Sequence, residues 1–309
     1  MALKVVVDSS SGLSRADALA QGLYFVPLSV TIGEKTFSEG VDITADEFYK
    51  LIADGPMPKT AQPSPKLYLD VFEEASKDGD DVLLLSISSK VSGAFQAATL
   101  ARSMCHHPER IHLFDTLSFF GGIRIMLEET LHRIGEPIGE LIAYLADLRG
   151  KIRVFAGMDT LDYVYKGGRL SKFHLALGIF LHAKPIGTLE DGSVILAGKV
   201  IGTKNAMKFV VDRSKAEPID FDYPCYLFYS SDRAILDRFL DQHFYPAYPD
   251  KKDLPIIQID PLIGSHIGPL VYGIFYVSVE KDKKKRSLIQ KVRADFRAKF
   301  PKKNEKTKP

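Results

Sequence analysis

Hydroxyl groups and glycines collect where predicted strands end and helices begin. Asp8-Ser9-Ser10-Ser11-Gly12 follows the β-branched run Val5–Val7, and Ser86-Ile87-Ser88-Ser89-Lys90-Val91-Ser92-Gly93 closes the apolar run that starts at Asp81. Thr60 stands in Lys59-Thr60-Ala61-Gln62-Pro63-Ser64-Pro65, just before another helix start. In an open α/β sheet, ligands bind in the crevice at the carboxyl ends of the strands. A helix N-terminus adds unpaired N–H groups and partial positive charge, which suit a carboxylate or a phosphate. Thr60, Ser92 and Gly93 are therefore candidate anion ligands. The plainer alternative makes Ser64 and Ser92 ordinary helix caps and Thr60 a loop residue. Asp8, at a strand end, has the chemistry of a metal ligand or a base, but no partner accompanies it in sequence and a loop-capping role fits better.

Several other chemistries lack their signatures. No Gly-x-Gly-x-x-Gly follows a strand, so there is no dinucleotide fingerprint. Gly192 to Gly198-Lys199-Val200 imitates a phosphate loop, but five residues intervene and Val200 stands where Ser or Thr would reach magnesium. Ser92-Gly93 lacks the preceding glycine of a nucleophile elbow. His106 and His107 are adjacent and cannot share a helical face, and the eight histidines show no metal-ligand spacing. With only Cys105 and Cys225, a disulfide framework and a zinc ribbon are both excluded by count. No metal and no cofactor is expected.

Alternating elements must position these residues. The runs Val5–Val7, Phe25–Ile32, Asp81–Ile87 and Ile111–Phe114 read as strands buried on both faces, as in a parallel sheet. Between them, Thr44-Ala45-Asp46-Glu47 is a capping box, Ser64-Pro65 a cap followed by a first-turn proline, and Ser92-Gly93 opens a helical run. Helices are predicted over Gly122–Arg133 and Gly139–Leu148. Beyond Gly150 the texture is mixed. A strand at Ile152–Met158 leads to a mostly helical stretch, Leu161–His182, broken at Gly167-Gly168. A hairpin follows, Lys184–Leu189 and Val194–Val200, turning on Glu190-Asp191-Gly192. Then come helices Lys204–Lys215 and Asp232–Phe244, and strands Tyr226–Tyr229, Ile256–Ile259 and Gly273–Val279.

This makes an α/β protein with two domains, a parallel-sheet unit over 1–149 and a mixed α+β unit over 150–296, with a basic tail at 297–309. The 309 residues are 45% hydrophobic, enough for such cores, and carry a net charge of +2, too near neutral for a dedicated nucleic-acid binder. Asp8 comes too early for a signal peptide, and no apolar run approaches the ~20 residues of a membrane span, so a cytoplasmic location is expected. The lysine-rich stretch from Lys281, with a helix near Ser287–Phe300, reads as a solvated tail or as a segment with weak, transient attraction to an anionic membrane surface.

An ordered set of motifs resembles the DegV family. It comprises Val5–Ser10, Val26-Pro27-Leu28-Ser29-Val30, Gly40-Val41-Asp42-Ile43-Thr44, Lys59–Pro65, Val91-Ser92-Gly93-Ala94-Phe95-Gln96-Ala97-Ala98, Asp115-Thr116 and Asp159-Thr160-Leu161. It continues with Lys166-Gly167-Gly168-Arg169, Lys184-Pro185 and Gly264-Ser265-His266-Ile267-Gly268-Pro269. The resemblance implies a bacterial protein that buries a long-chain fatty acid and has no catalysis of its own. It would be the acyl-carrying subunit of a fatty acid kinase, with a separate ATP-binding partner that phosphorylates the carboxylate. Carried over by motif, Thr60, Ser92 and Gly93 would bind the carboxylate, while Arg169 and His266, the latter in a glycine-rich loop, would flank the head group. Two departures stand out. Family members carry basic residues where Ile201 and Thr203 stand here, leaving Lys199, on the strand face of Ile201, as a substitute; and Leu270 replaces a typical glycine. The competing class is a stand-alone phosphotransfer or hydrolytic enzyme built on the strand-end Ser, Asp and His residues.

Overall fold

The computed structural model describes residues 2–169 and 183–279. The helical expectations past Arg169 to His182 and at Ser287–Phe300, together with the basic tail, lie outside the described residues.

Strand β1 (Leu3–Asp8) is central to a four-stranded parallel sheet. It pairs on one side with β2 (Tyr24–Val26). The next two strands, β3 (Ser29–Ile32) and β4 (Lys35–Ser38), form a hairpin, and β5 (Lys59–Thr60) joins β3 to complete a small antiparallel sheet. On its other side β1 pairs with β6 (Asp81–Ser86), which pairs with β7 (Ile111–Asp115), both parallel. Val5–Val7 and Val82–Leu85 are all buried, as continuous β-branched and leucine runs in a covered parallel sheet require. Helices Pro65–Ser76 and Ala94–Met104 pack on this sheet and on each other.

The single run predicted over Phe25–Ile32 is two strands in two sheets. Pro27 has no N–H to donate and cannot continue a ladder, so the chain leaves the parallel sheet there and re-enters pairing at Ser29. The three-stranded sheet that results was not foreseen, yet it fixes Thr60 through the register Val30↔Thr60.

The remaining strands are β8 (Ile152–Gly157), β9 (Ala183–Glu190), β10 (Ser193–Ile201), β11 (Tyr226–Tyr229), β12 (Ile256–Gln258) and β13 (Tyr272–Val277). They form one mixed sheet in the order β10-β9-β8-β13-β11-β12, antiparallel except for β11 with β12. The expected hairpin turn is present: Asp191 and Gly192 both have positive φ, 47° and 79°, the twist a two-residue connection needs. Helices Thr203–Ala216 and Arg233–Phe239 cover this sheet, and residues 240–244 finish the latter as a π-turn rather than regular α-helix. Helix Gly121–His132 touches β6 on one side and β8 and β13 on the other, so it is clamped between the two large sheets. Side chains from both sheets, Val5 and Leu84 with Val154, Phe228 and Phe275, share one buried cluster.

Candidate functional site

Four separate segments bring their polar groups to one cavity. Downstream of β6 the backbone N–H groups of Val91 and Ser92 both donate to Ser88 O at 3.1 Å, forming a turn that delivers Ser92 and Gly93 to the start of helix Ala94–Met104. Ser92 Oγ accepts from the Ala94 N–H at 3.2 Å, which leaves the hydroxyl proton to be donated elsewhere. Gly93 lets the Gln62 side chain approach closely, since a Cβ there would lie 2.6 Å from Gln62 Cδ. Thr60, on β5, brings its Oγ1 within 2.8 Å of His266 Nε2. Arg169 follows the short helix Asp162–Lys166 and a turn at Gly168 with φ of 70°. Its guanidinium donates to Val91 O at 3.3 Å and Gly167 O at 2.5 Å.

His266 does not lie in a glycine-rich loop. It occupies the last turn of helix Pro261–Ile267, which Asp260 caps by accepting from the Ile263 N–H at 2.8 Å. The Asp-Pro start is a regular N-terminal signal that the glycines at 264 and 268 obscured. Gly264 is there for packing: a Cβ would stand 2.6 Å from Tyr49 Oη and 2.8 Å from Phe48. Gly167, read as room for a ligand, instead makes room for the His266 ring, whose Nδ1 would be 2.7 Å from a Cβ.

The cavity holds about 180 Å³, and Thr60, Ser92, Gly93, Arg169 and His266 all line it. Its inner wall of Phe119, Val194, Ile263 and Ile267 also lines a second pocket of about 40 Å³, otherwise formed by apolar side chains of the large mixed sheet such as Val154, Ala156, Met158, Phe228 and Phe275. The polar end and the apolar pocket thus adjoin across these four side chains. Phe119 belongs to the β7 connection, where Leu117 and Phe120 both adopt positive φ, 46° and 49°. Such strain collects where structure is held for a purpose.

The electrostatics of the polar end are one-sided. Burial, and next the Arg169 charge, hold the His266 imidazole down to about 4, so it is neutral near pH 7. Burial also lowers Arg169, and among the described residues its guanidinium meets carbonyl oxygens and no carboxylate. Among the described residues His266 Nδ1 has no hydrogen-bond partner. Donors and a permanent cation therefore face a space to which no described residue brings a countercharge.

A different cluster sits at the opposite end of the same helix. Glu39 and Asp260 are 1% and 8% exposed, and Glu39 Oε1 accepts from the Leu262 N–H at 2.5 Å. Burial and the neighbouring Asp260 push Glu39 well up, while Arg124 and the Ile263 N–H favour the ionised form of Asp260, itself raised by burial. The protonated form of Glu39 is thus the one favoured beside Asp260. Neither acid was singled out from sequence, where each resembles a surface loop carboxylate. Asp8 takes the capping role: burial raises it to about 6, and it accepts from the Ser10 N–H and from Tyr68 Oη, each at 3.1 Å. No cluster of His, Cys, Asp and Glu among the described residues could hold a metal ion, and no described helix is long and apolar enough to cross a membrane.

Lys199 is not brought to the cavity. It pairs with Pro185 on β9, five residues along β10 from Val194, which is roughly 16 Å of strand. Ile201, at the strand end, is 73% exposed. Leu270 adopts a φ of 57°, the left-handed region, which explains why glycine suits that position.

Comparison with known proteins places these features in context. The family model described as "Uncharacterised protein, DegV family" matches residues 2–279. A DegV domain-containing protein of Caldanaerobacter subterraneus subsp. tengcongensis is 33% identical over 278 residues, covering 89% of this chain and 98% of its own. Among solved structures, a fatty-acid-binding DegV family protein from Thermus thermophilus superposes with a TM-score of 0.80 at 29% identity, covering 90% of this chain and all of that one. A stearic acid-binding protein from Eubacterium ventriosum gives 0.79 at 25% identity, with 89% and 98% coverage.

Proposed function

The chain belongs to the DegV family, and from that premise we propose that it binds a long-chain fatty acid and presents the carboxylate to a separate ATP-dependent kinase. The observation that carries the first half is a polar cavity backed by an apolar pocket, the two sharing the side chains of Phe119, Val194, Ile263 and Ile267. Thr60, Ser92 and the N-terminus of helix Ala94–Met104 receive the carboxylate. In the tautomer with its proton on Nε2, His266 donates to Thr60 Oγ1 and leaves the threonine proton for the ligand. Arg169 supplies the charge that balances the head group, and more so a phosphate. The likeness to the fatty-acid-binding Thermus protein and the stearic acid-binding Eubacterium protein supports fatty acid as the ligand class.

The kinase half rests on chemistry this chain lacks. It has no phosphate loop, and its binding groups suit an acyl phosphate as product. An isoleucine at 201 neither donates a hydrogen bond nor carries charge, and Lys199 projects from a different point of β10 than that side chain does, so acyl phosphate is held less firmly than fatty acid. One observation favours a stand-alone hydrolase: the Thr60–His266 contact has the form of a nucleophile and its base. A working base needs a third group to orient it, and among the described residues His266 Nδ1 has none.

The test is mass spectrometry of lipid extracted from purified protein, together with uptake of added palmitate or oleate. A bound long-chain acid is expected. Lipid-free protein that takes up neither acid overturns the assignment. For the second half, Arg169→Ala and His266→Ala are expected to depress phosphorylation by a supplied kinase and ATP more than they depress loading; the reverse pattern rejects those roles.

A further inference from the structure

Strands β8 and β9 pair over only two register positions, Ala156↔Gly187 and Gly157↔Ile186, and then part. The first of these positions puts the two smallest side chains of the pocket wall side by side. The hollow this leaves is filled by a flexible neighbour: Met158 Cε lies 2.8 Å from where a Cβ on Gly187 would be. Methionine is unbranched with three rotatable bonds, so it fills and vacates such gaps easily.

Past the hollow the strands are bridged by a side chain. Thr188 Oγ1 donates to Val154 O at 2.7 Å. Val154 and Thr188 line the apolar pocket on one side and, on the other, an open groove of about 730 Å³ whose walls include Arg149, Arg153, Arg213 and Glu217. Arg153 and Arg213 both pair with Glu217 there, at 2.6 and 2.5 Å. A methylene that passed this wall would exchange apolar contact for a wet, charged surface.

The cavities in place, about 180 and 40 Å³, fall short of the ~300–1,000 Å³ usual for ligands of drug size. A long chain must therefore make its own room, and Met158 is the side chain able to give it.

We infer that the Ala156–Gly187 hollow, plugged by Met158 and closed by the Thr188–Val154 bridge, sets the longest acyl chain this protein accepts. This rests on the fatty-acid reading proposed above and adds to it the residues that measure chain length. Met158 swings aside as the chain grows, the chain end settles over Ala156 and Gly187, and the bridge stops it.

The test is the affinity of even-numbered saturated fatty acids from ten to twenty carbons, measured by displacement of a fluorescent fatty acid from wild type, Met158→Ala, Met158→Phe and Gly187→Val. Below the ceiling each added methylene tightens binding about fourfold, the equivalent of about 0.8 kcal/mol; at the ceiling the gain stops. Met158→Ala is expected to move the ceiling up by at least two carbons. Met158→Phe and Gly187→Val are expected to move it down by as much, changing the ratio of long-chain to decanoate affinity about sixteenfold in opposite directions. Met158→Ala and Met158→Phe carry the comparison if Gly187→Val does not fold. An unchanged ceiling in variants that still bind decanoate overturns the inference. Wild type that binds no fatty acid of any length overturns instead the function on which it rests.

Discussion

Helix Pro261–Ile267 has a buried polar cluster at each end, and the two are built on opposite plans. At its start two acids and a cation meet: Glu39 and Asp260 each accept from a backbone N–H, and the Arg124 charge favours the ionised form of Asp260. At its finish His266, Thr60, Ser92 and Arg169 present donors and a cation with no carboxylate among the described residues to meet them. Burying polar groups is costly unless they are paired. A self-paired cluster is what holds a structure together, whereas a cluster of one sign is what an anion from outside completes. The first therefore positions the helix, and the second uses it.

The largest effect that separates the two should be on stability. Asp260→Ala removes the helix cap and the negative charge that faces Arg124, and is expected to destabilise the protein by about 3 kcal/mol in urea denaturation. Arg169→Ala should cost less than about 1 kcal/mol, since it leaves only carbonyl oxygens that water can reach. Equal losses would erase the distinction drawn between the clusters.

Ligand affinity should show the converse. Thr60→Ala and Ser92→Ala each remove a hydrogen bond to a charged group, about 1.5–3 kcal/mol or roughly ten- to hundredfold in fatty-acid affinity. The matching fatty alcohol should lose much less. If acid and alcohol weaken alike in titrations, these hydroxyls do not read the head group.

A pH series sharpens the contrast, because the clusters titrate with opposite sign. His266 is held down to about 4 in the empty site, so its contribution is complete above about pH 6.5 and is lost as the pH falls towards 4. Glu39 is raised, so its contribution is complete below its ordinary value of about 4.5 and is lost as the pH rises through the folded value. Subtracting the stability curve of His266→Asn from wild type should leave an acid-side slope, and subtracting that of Glu39→Gln an alkaline one. Saturating fatty acid should flatten the first only, since a carboxylate beside His266 favours its charged form. Two differences of the same sign would show that one assignment is inverted.

The smallest effect lies just beyond the helix. Leu270 holds a left-handed φ of 57° at a non-glycine position, and Leu270→Gly should gain up to about 1 kcal/mol by relieving that strain. A net loss in denaturation would mean that the packing of the leucine against the buried cluster of the mixed sheet outweighs the backbone cost.

What the sequence determined by itself was whatever depends on near neighbours in the chain. The caps at Thr44 and Ser64, the Asp191-Gly192 turn and the buried runs of β1 and β6 follow from side chains a few residues apart, and they formed where local chemistry placed them. The motifs around Thr60, Ser92, Arg169 and His266 were legible too, as a resemblance spread along the chain. Where local signals competed, the pattern misled: Pro27 split an apolar run, and Gly264 and Gly268 disguised a helix. Only the tertiary structure decided which polar groups share a space. Thr60 and His266 are 206 residues apart and Glu39 and Leu262 are 223 apart, yet each pair is in hydrogen-bond contact. It also decided that Lys199, for all its charge, stands outside the cavity. The reason is physical: burial and the absence of a countercharge are properties of a volume, and segments far apart in the chain enclose that volume only after the sheets have closed around helix Gly121–His132.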